Sequence, residues 1–244
     1  MSSRRRSSAS EGLVEGFLHS SDALVGRDDT RFDLKFFMKP HHHLKKVDPI
    51  LAKVINSIKL NESKSHKRYF EALVSAVISQ QLSTKAADTI RLRFIALFTY
   101  LERSRGFKDV KFPSPEQVLK KKDNKLRSVG LSYQKISYIK SLAKLVKEGS
   151  IDFKKFAKMT DEEIIEVLVK AKGIGQWTAE MFLMFCLGRP DVFSDGDLGL
   201  KNAIKKLYKI NKNDHPKKYQ KLVESWSPHR TTAARYLWAS LNNI

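Results

Sequence analysis

From Asp48 onward apolar residues recur every three or four positions, the spacing of amphipathic helices, and no convincing alternating strand pattern appears. Asp48-Pro49 supplies a cap followed by a first-turn proline, opening a helix with Ile50, Val54, Ile55 and Ile58 on one face. A second, more apolar helix is predicted from about Tyr69 to Ile78, running into the turn Ser79-Gln80-Gln81-Leu82. Ser83 then caps a helix carrying Ala86, Ala87, Ile90, Phe94, Leu97 and Phe98. Pro113-Ser114-Pro115 breaks the chain, and Ser114 begins a short helix through Leu119. Ser132 starts another, with Ile136, Ile139, Leu142, Ala143 and Val146 at helical spacing. Thr160 and Glu163 form a capping box leading into Ile164, Ile165, Val167 and Leu168. The expected fold class is all-α.

The first part of the chain reads differently. Residues 1–31, and Met1–Ser21 most strongly, are rich in Ser and Arg and are expected to form a basic, disordered tail ahead of a helical domain over 32–244. Phe36, Phe37 and Met38 suggest a segment packing on the main body. His41-His42-His43 cannot converge on one metal ion from a regular element, so a solvated turn after Pro40 is expected.

Composition narrows the class. With 244 residues and 41% hydrophobic side chains the chain can bury a substantial core. Cys186 is the single cysteine, which excludes an internal disulfide and any multi-cysteine metal or iron–sulfur site. Arg4-Arg5-Arg6 is not followed by an apolar stretch of signal-peptide length, and the apolar run Met181–Leu187 is too short to span a bilayer. A soluble, intracellular monomer without a membrane partner is expected. Lys plus Arg outnumber Asp plus Glu by 46 to 26, a net charge of +20 that points to a polyanionic partner, nucleic acid before a membrane surface. Lys201, Lys205, Lys206, Lys209, Lys212, Lys217, Lys218 and Lys221 crowd one segment, and Asp214 is the sole acid between Leu198 and Leu222.

Lys172-Gly173-Ile174-Gly175 lies between helices predicted over Thr160–Ala171 and Gln176–Leu187. Two glycines around Ile174 allow a tight reversal with positive φ, and Ile174 can plug the gap between the helices. The second helix then begins with exposed N–H groups suited to a phosphate oxygen. No Gly-Lys-Ser/Thr follows, which excludes a Walker loop, and no strand precedes, which argues against a dinucleotide fingerprint. An ordinary helical hairpin remains open on these residues alone.

Ala171-Lys-Gly-Ile-Gly-Gln-Trp-Thr-Ala179 resembles the hairpin of the helix-hairpin-helix/GPD superfamily of DNA glycosylases, and Arg189-Pro-Asp-Val-Phe-Ser-Asp-Gly-Asp-Leu-Gly-Leu200 resembles the family's aspartate-bearing loop. Ala76–Ala87, Gly130–Lys135 and Trp226–Trp238 narrow the resemblance to the alkyladenine (DNA-3-methyladenine glycosylase II) branch, over roughly residues 45–241. The resemblance implies two helical subdomains flanking a DNA-binding cleft, one built mainly from residues 70–185 and the other from the N- and C-terminal helices. It implies excision of alkylated bases such as 3-methyladenine and 7-methylguanine from duplex DNA by base flipping and hydrolysis, in the nucleus of a eukaryote or the cytoplasm and nucleoid otherwise.

Asp197 is the catalytic residue implied; read alone it is an N-cap before a helix at Leu198, with Asp191 and Asp195 as nearby competitors. Bifunctional relatives carry a Schiff-base lysine two residues after the second hairpin glycine, where this chain has Trp177, so hydrolysis without lyase activity is expected. Trp177, Met181, Leu198 and Trp238 are the implied base pocket, although each also suits a plain core. Relatives tend to have tyrosine at the positions of Met181 and Leu198, a departure bearing on substrate range. Lys172, Gly173, Gly175, Gln176 and Lys201 are the implied phosphate-binding residues, and Gln81 or Leu82 the wedge that fills the gap left by the flipped nucleotide. No cofactor is needed for hydrolysis, while hairpin carbonyls could hold a structural monovalent cation. A non-catalytic DNA-binding hairpin protein and a bifunctional lyase are the rival readings.

Overall fold

The computed structural model describes residues 40–60, 65–98 and 111–242. The expected tail and the Phe36–Met38 segment lie outside these residues. Every regular element among those described is helical. The helices are α1 (Pro40–Val47), α2 (Pro49–Ser57), α3 (Tyr69–Ser79), α4 (Thr84–Ala96), α5 (Pro115–Lys120), α6 (Asp123–Ser128) and α7 (Tyr133–Lys147). They are followed by α8 (Asp161–Leu168), α9 (Gln176–Phe182), α10 (Leu198–Tyr208), α11 (Pro216–Ser225) and α12 (Arg230–Asn242). A 3-10 turn covers Phe156–Lys158, and α9 runs on into a π-helical segment, Leu183–Leu187. No helix among the described residues is long and apolar enough to cross a membrane.

The helix starts follow the capping chemistry. Asp48, Ser83, Ser114, Ser132, Thr160 and Asp197 each accept a backbone N–H from the first turn of the helix they precede, and Ser114–Gln117 and Thr160–Glu163 are complete capping boxes. A cap contributes about 1 kcal/mol, whereas one buried Leu or Phe contributes about 1.5–3 kcal/mol. Caps therefore fix where helices begin, and burial fixes where they pack.

The chain divides into two compact units. One is formed by His66–Phe182, close to the expected 70–185 body. Its central element is α3, apolar nearly all round, with Leu73, Val74, Val77 and Ile78 buried against α4, α7 and α9. Ile136, Ile139, Leu142 and Ala143 form the buried stripe of α7, on which α5 and α6 pack through Val118 and Leu126. The other unit joins the described residues up to Ser65 to Leu183 and beyond. In it α12 packs on α1, α2 and α10. Asp48, 4% exposed, ties that unit together: beyond capping α2 it accepts from the Tyr208 hydroxyl and the Trp226 indole N–H, both at 2.7 Å.

Three expectations need correction. The histidine run is helical, not a solvated turn: Pro40 starts α1, and the rings find partners, His41 edge-on to Tyr236 and His43 edge-on to His229. The helix before the hairpin ends at Leu168 rather than Ala171, because the chain must already be turning toward Gly173. The helix after it is α-helical only to Phe182.

Candidate DNA-processing site

The hairpin is built by α8, the turn 169–175 and α9. Ile174 is buried, as a plug between two helices must be, and its N–H donates to the Ala171 carbonyl. The two glycines play different parts. Gly173 has φ +79, and a Cβ there would lie 2.0 Å from Cδ2 of Tyr138, so both conformation and space demand glycine. Gly175 does not have positive φ, and a Cβ there would meet nothing within 4 Å; the expectation that both glycines serve the reversal holds for Gly173 alone.

Of the residues expected to bind phosphate, Gly175 and Gln176 are exposed at the start of α9. The backbone N–H of Lys172 instead donates to Ser141 Oγ at 3.2 Å, leaving its exposed ammonium as the group available to an anion. The Gly173 carbonyl accepts from Gln80 Nε2 at 2.8 Å. Trp177, half-buried, and Met181, fully buried, lie one turn apart on the same face of α9. The wedge candidates sit in the turn after α3: Gln81 is exposed with φ +58, and Leu82 is half-buried with its N–H on the Ser79 carbonyl.

The second unit holds the aspartate loop. Its first part is fastened to the start of α12. Thr231 Oγ1 donates to the Arg189 carbonyl at 2.7 Å and accepts the Val192 N–H at 3.0 Å. These bonds anchor the loop at Arg189 and Val192, and the surroundings separate its three acids. Asp191 is held by Arg230, whose Nε and Nη2 lie 2.9 and 3.0 Å from its two oxygens, and by Ser227. Burial alone would raise its pKa, but the hydrogen bonds from Arg230 and Ser227 outweigh that and hold it below the usual aspartate value. Asp195 is exposed and faces Lys212 at 3.5 Å.

Asp197 differs from both. It is 2% exposed, and its Oδ1 receives the Leu200 N–H at 2.7 Å and the Trp238 indole N–H at 2.9 Å. Gly199 makes that approach possible: a Cβ there would stand 3.0 Å from Asp197 Oδ1 and 3.1 Å from Trp238 Cδ1. The sequence carried a signal for this glycine, since one in the first turn of a helix costs helix stability and calls for a reason. Trp238, half-buried and tilted against Phe185, thus meets the carboxylate through its N–H edge. Leu198 is 42% exposed and Lys201 half-buried on α10.

A model of the family described as HhH-GPD superfamily base excision DNA repair protein matches residues 74–229, a span holding the turn after α3, the hairpin and the aspartate loop. The chain belongs to this family. It is 37% identical to DNA-3-methyladenine glycosylase 1 of Schizosaccharomyces pombe over 189 residues, 77% of this chain and 79% of the relative. A DNA-3-methyladenine glycosidase structure from Bacillus halodurans superposes with a TM-score of 0.70 at 34% identity, covering 83% of this chain and 89% of that one. The Schizosaccharomyces pombe Mag1 structure, in complex with abasic DNA, superposes with a TM-score of 0.66 at 34% identity, covering 84% and 97%.

Proposed function

We propose that this family member is a monofunctional DNA glycosylase that excises alkylated bases, 3-methyladenine and 7-methylguanine among them, from duplex DNA in base excision repair. The observation that carries the reading is Asp197: a buried carboxylate pinned by two N–H donors, in the loop that follows the hairpin.

A purine alkylated at N3 or N7 is cationic and leaves as a neutral base. As its bond to C1′ breaks, positive charge builds on the deoxyribose in an oxocarbenium-like transition state. A carboxylate fixed in place beforehand stabilises that charge without reorganising at the moment of reaction. Water then bonds to C1′, and its proton passes to Asp197 or solvent, giving a free base and an abasic hemiacetal. Little general acid is required, because the leaving group already carries the charge. Trp177 and Met181 in the first unit, one turn apart on α9, and Leu198 and Trp238 in the second are each proposed to contact the flipped base. An indole face there attracts a cationic purine. With tryptophan at 177 that position offers no amine for a Schiff base, which supports the reading that the strand stays intact. Gly175, Gln176, Lys172 and Lys201 are assigned to phosphate, and the protein is proposed to act as a monomer on nuclear or nucleoid DNA.

The experiment is incubation with methylated duplex, chromatography of the released bases and borohydride trapping. Free alkylated purine without a covalent adduct is expected. Absence of released base would leave a DNA-binding protein without catalysis, and a trapped adduct would show a lyase.

A further inference from the structure

We propose that one face of α7 is a latch holding the wedge turn and the hairpin at a fixed separation, with Lys135 its positioning residue; this rests on the glycosylase reading above. Lys135, Tyr138 and Ser141 follow one another at three-residue steps along α7, hence along one face. Each engages one of the two DNA-directed features. Lys135 Nζ donates to the carbonyls of Ile78 and Gln80, at 2.6 and 2.7 Å, at the very end of α3 where the wedge turn begins. The Tyr138 ring fills the space a Cβ on Gly173 would take. Ser141 Oγ accepts the Lys172 N–H at 3.2 Å. A direct strut closes the figure, Gln80 Nε2 to the Gly173 carbonyl at 2.8 Å.

The chemistry of Lys135 marks it as more than a surface residue. The last carbonyls of a helix have no partner within the helix, and an ammonium can satisfy them. Here the ammonium is half-buried, and burial lowers its pKa from the ordinary lysine value. Withdrawing a cation from water is unfavourable, and the two carbonyls offset that only if they stay in place. Beyond them Gln81 holds φ +58, a left-handed conformation rare for a residue with a side chain, which persists where neighbours over-determine it. Flipping requires a wedge entering the stack while the hairpin grips the backbone nearby. A displacement of about 1 Å between such groups can cost on the order of a hundredfold in rate.

The test compares Lys135→Met, which keeps most of the stem and removes the ammonium, with wild type. Hydrogen exchange at the amides of residues 79–83 should accelerate in the free protein. Single-turnover excision from a fully paired lesion should fall by about tenfold or more. Excision from a mismatched lesion, which unstacks more readily, should fall less. Affinity for undamaged duplex should stay near wild type. In a Gln81→Ala, Leu82→Ala background, Lys135→Met should bring little further loss, since it acts through the wedge. Gln80→Ala, at a half-buried position less demanding for folding, should reproduce the pattern. Unchanged exchange at 79–83, or the same fold loss with and without the wedge side chains, would overturn the latch. A wild-type protein that releases no base would overturn the glycosylase reading instead, and the exchange measurement would still decide the latch.

Discussion

Asp48 and Asp191 are carboxylates whose hydrogen bonds serve the fold of the second unit, whereas Asp197 is the one proposed for the chemistry. Asp48→Ala should destabilise the protein by about 3 kcal/mol, because the Tyr208 O–H, the Trp226 N–H and two α2 amides lose a buried acceptor together. A thermal melt reads this as a fall in Tm of roughly 6–12 °C; a shift within 2 °C of wild type (~0.5–1 kcal/mol by the same scaling) would show that water substitutes at the site. Asp191 gives a pH dependence. Its folded-state pKa is depressed, so its contribution is present above the unfolded value of about 4 and disappears as pH falls through the folded value. The Tm advantage of wild type over Asp191→Asn should therefore shrink steadily on acidification from about pH 5 to 3. An advantage independent of pH in that window would mean that packing, not the Arg230 pair, is responsible.

At the scale of elements, the hairpin assigns opposite jobs to its two glycines. Gly173→Ala should lower Tm, since Cβ would overlap the Tyr138 ring in a left-handed backbone. Gly175→Val should fold normally, because Cβ points into open space, yet weaken binding to undamaged duplex of any sequence by obstructing phosphate. Circular dichroism with fluorescence anisotropy separates the two; a folded Gly175→Val that binds like wild type would make the hairpin a turn only. The sequence shows two glycines and cannot rank them, because the difference lies in a tyrosine some 35 positions earlier. The caps tell the opposite story: Ser83, Ser114, Ser132, Thr160 and Asp197 were legible because a cap is local chemistry over three residues. Asp197 was legible as a cap and, through the family resemblance, as the catalytic candidate. Its indole partner stands 41 residues away, so the bond itself left no local trace. His41 and His43 failed for the same reason, their ring partners being Tyr236 and His229 near the far end of the chain. The π-helical turn at Leu183–Leu187 carries the same apolar composition an α-helix would, so nothing in the pattern announced it.

For the whole molecule, the charge of +20 and the cluster on α10 and α11 predict how DNA binding responds to salt. Lys205 and Lys218 are both exposed. Reversing both to Glu should reduce affinity for undamaged duplex and flatten the slope of log K against log salt by about 0.9 for each phosphate no longer neutralised, with the released base unchanged. An unaltered slope would place this face of the protein away from DNA. The central claim is that the pinned Asp197 carboxylate drives glycosidic hydrolysis, and Asp197→Asn tests it most directly. Asparagine keeps an oxygen to accept from Leu200 and Trp238, so cap and fold survive while the charge is removed. Single-turnover release of 3-methyladenine, measured beside wild type and Asp195→Asn at matched DNA occupancy, is the measurement. The account predicts a loss of about a hundredfold or more for Asp197→Asn, with Asp195→Asn near wild type and duplex affinity preserved in both. Near-wild-type release by Asp197→Asn would contradict it.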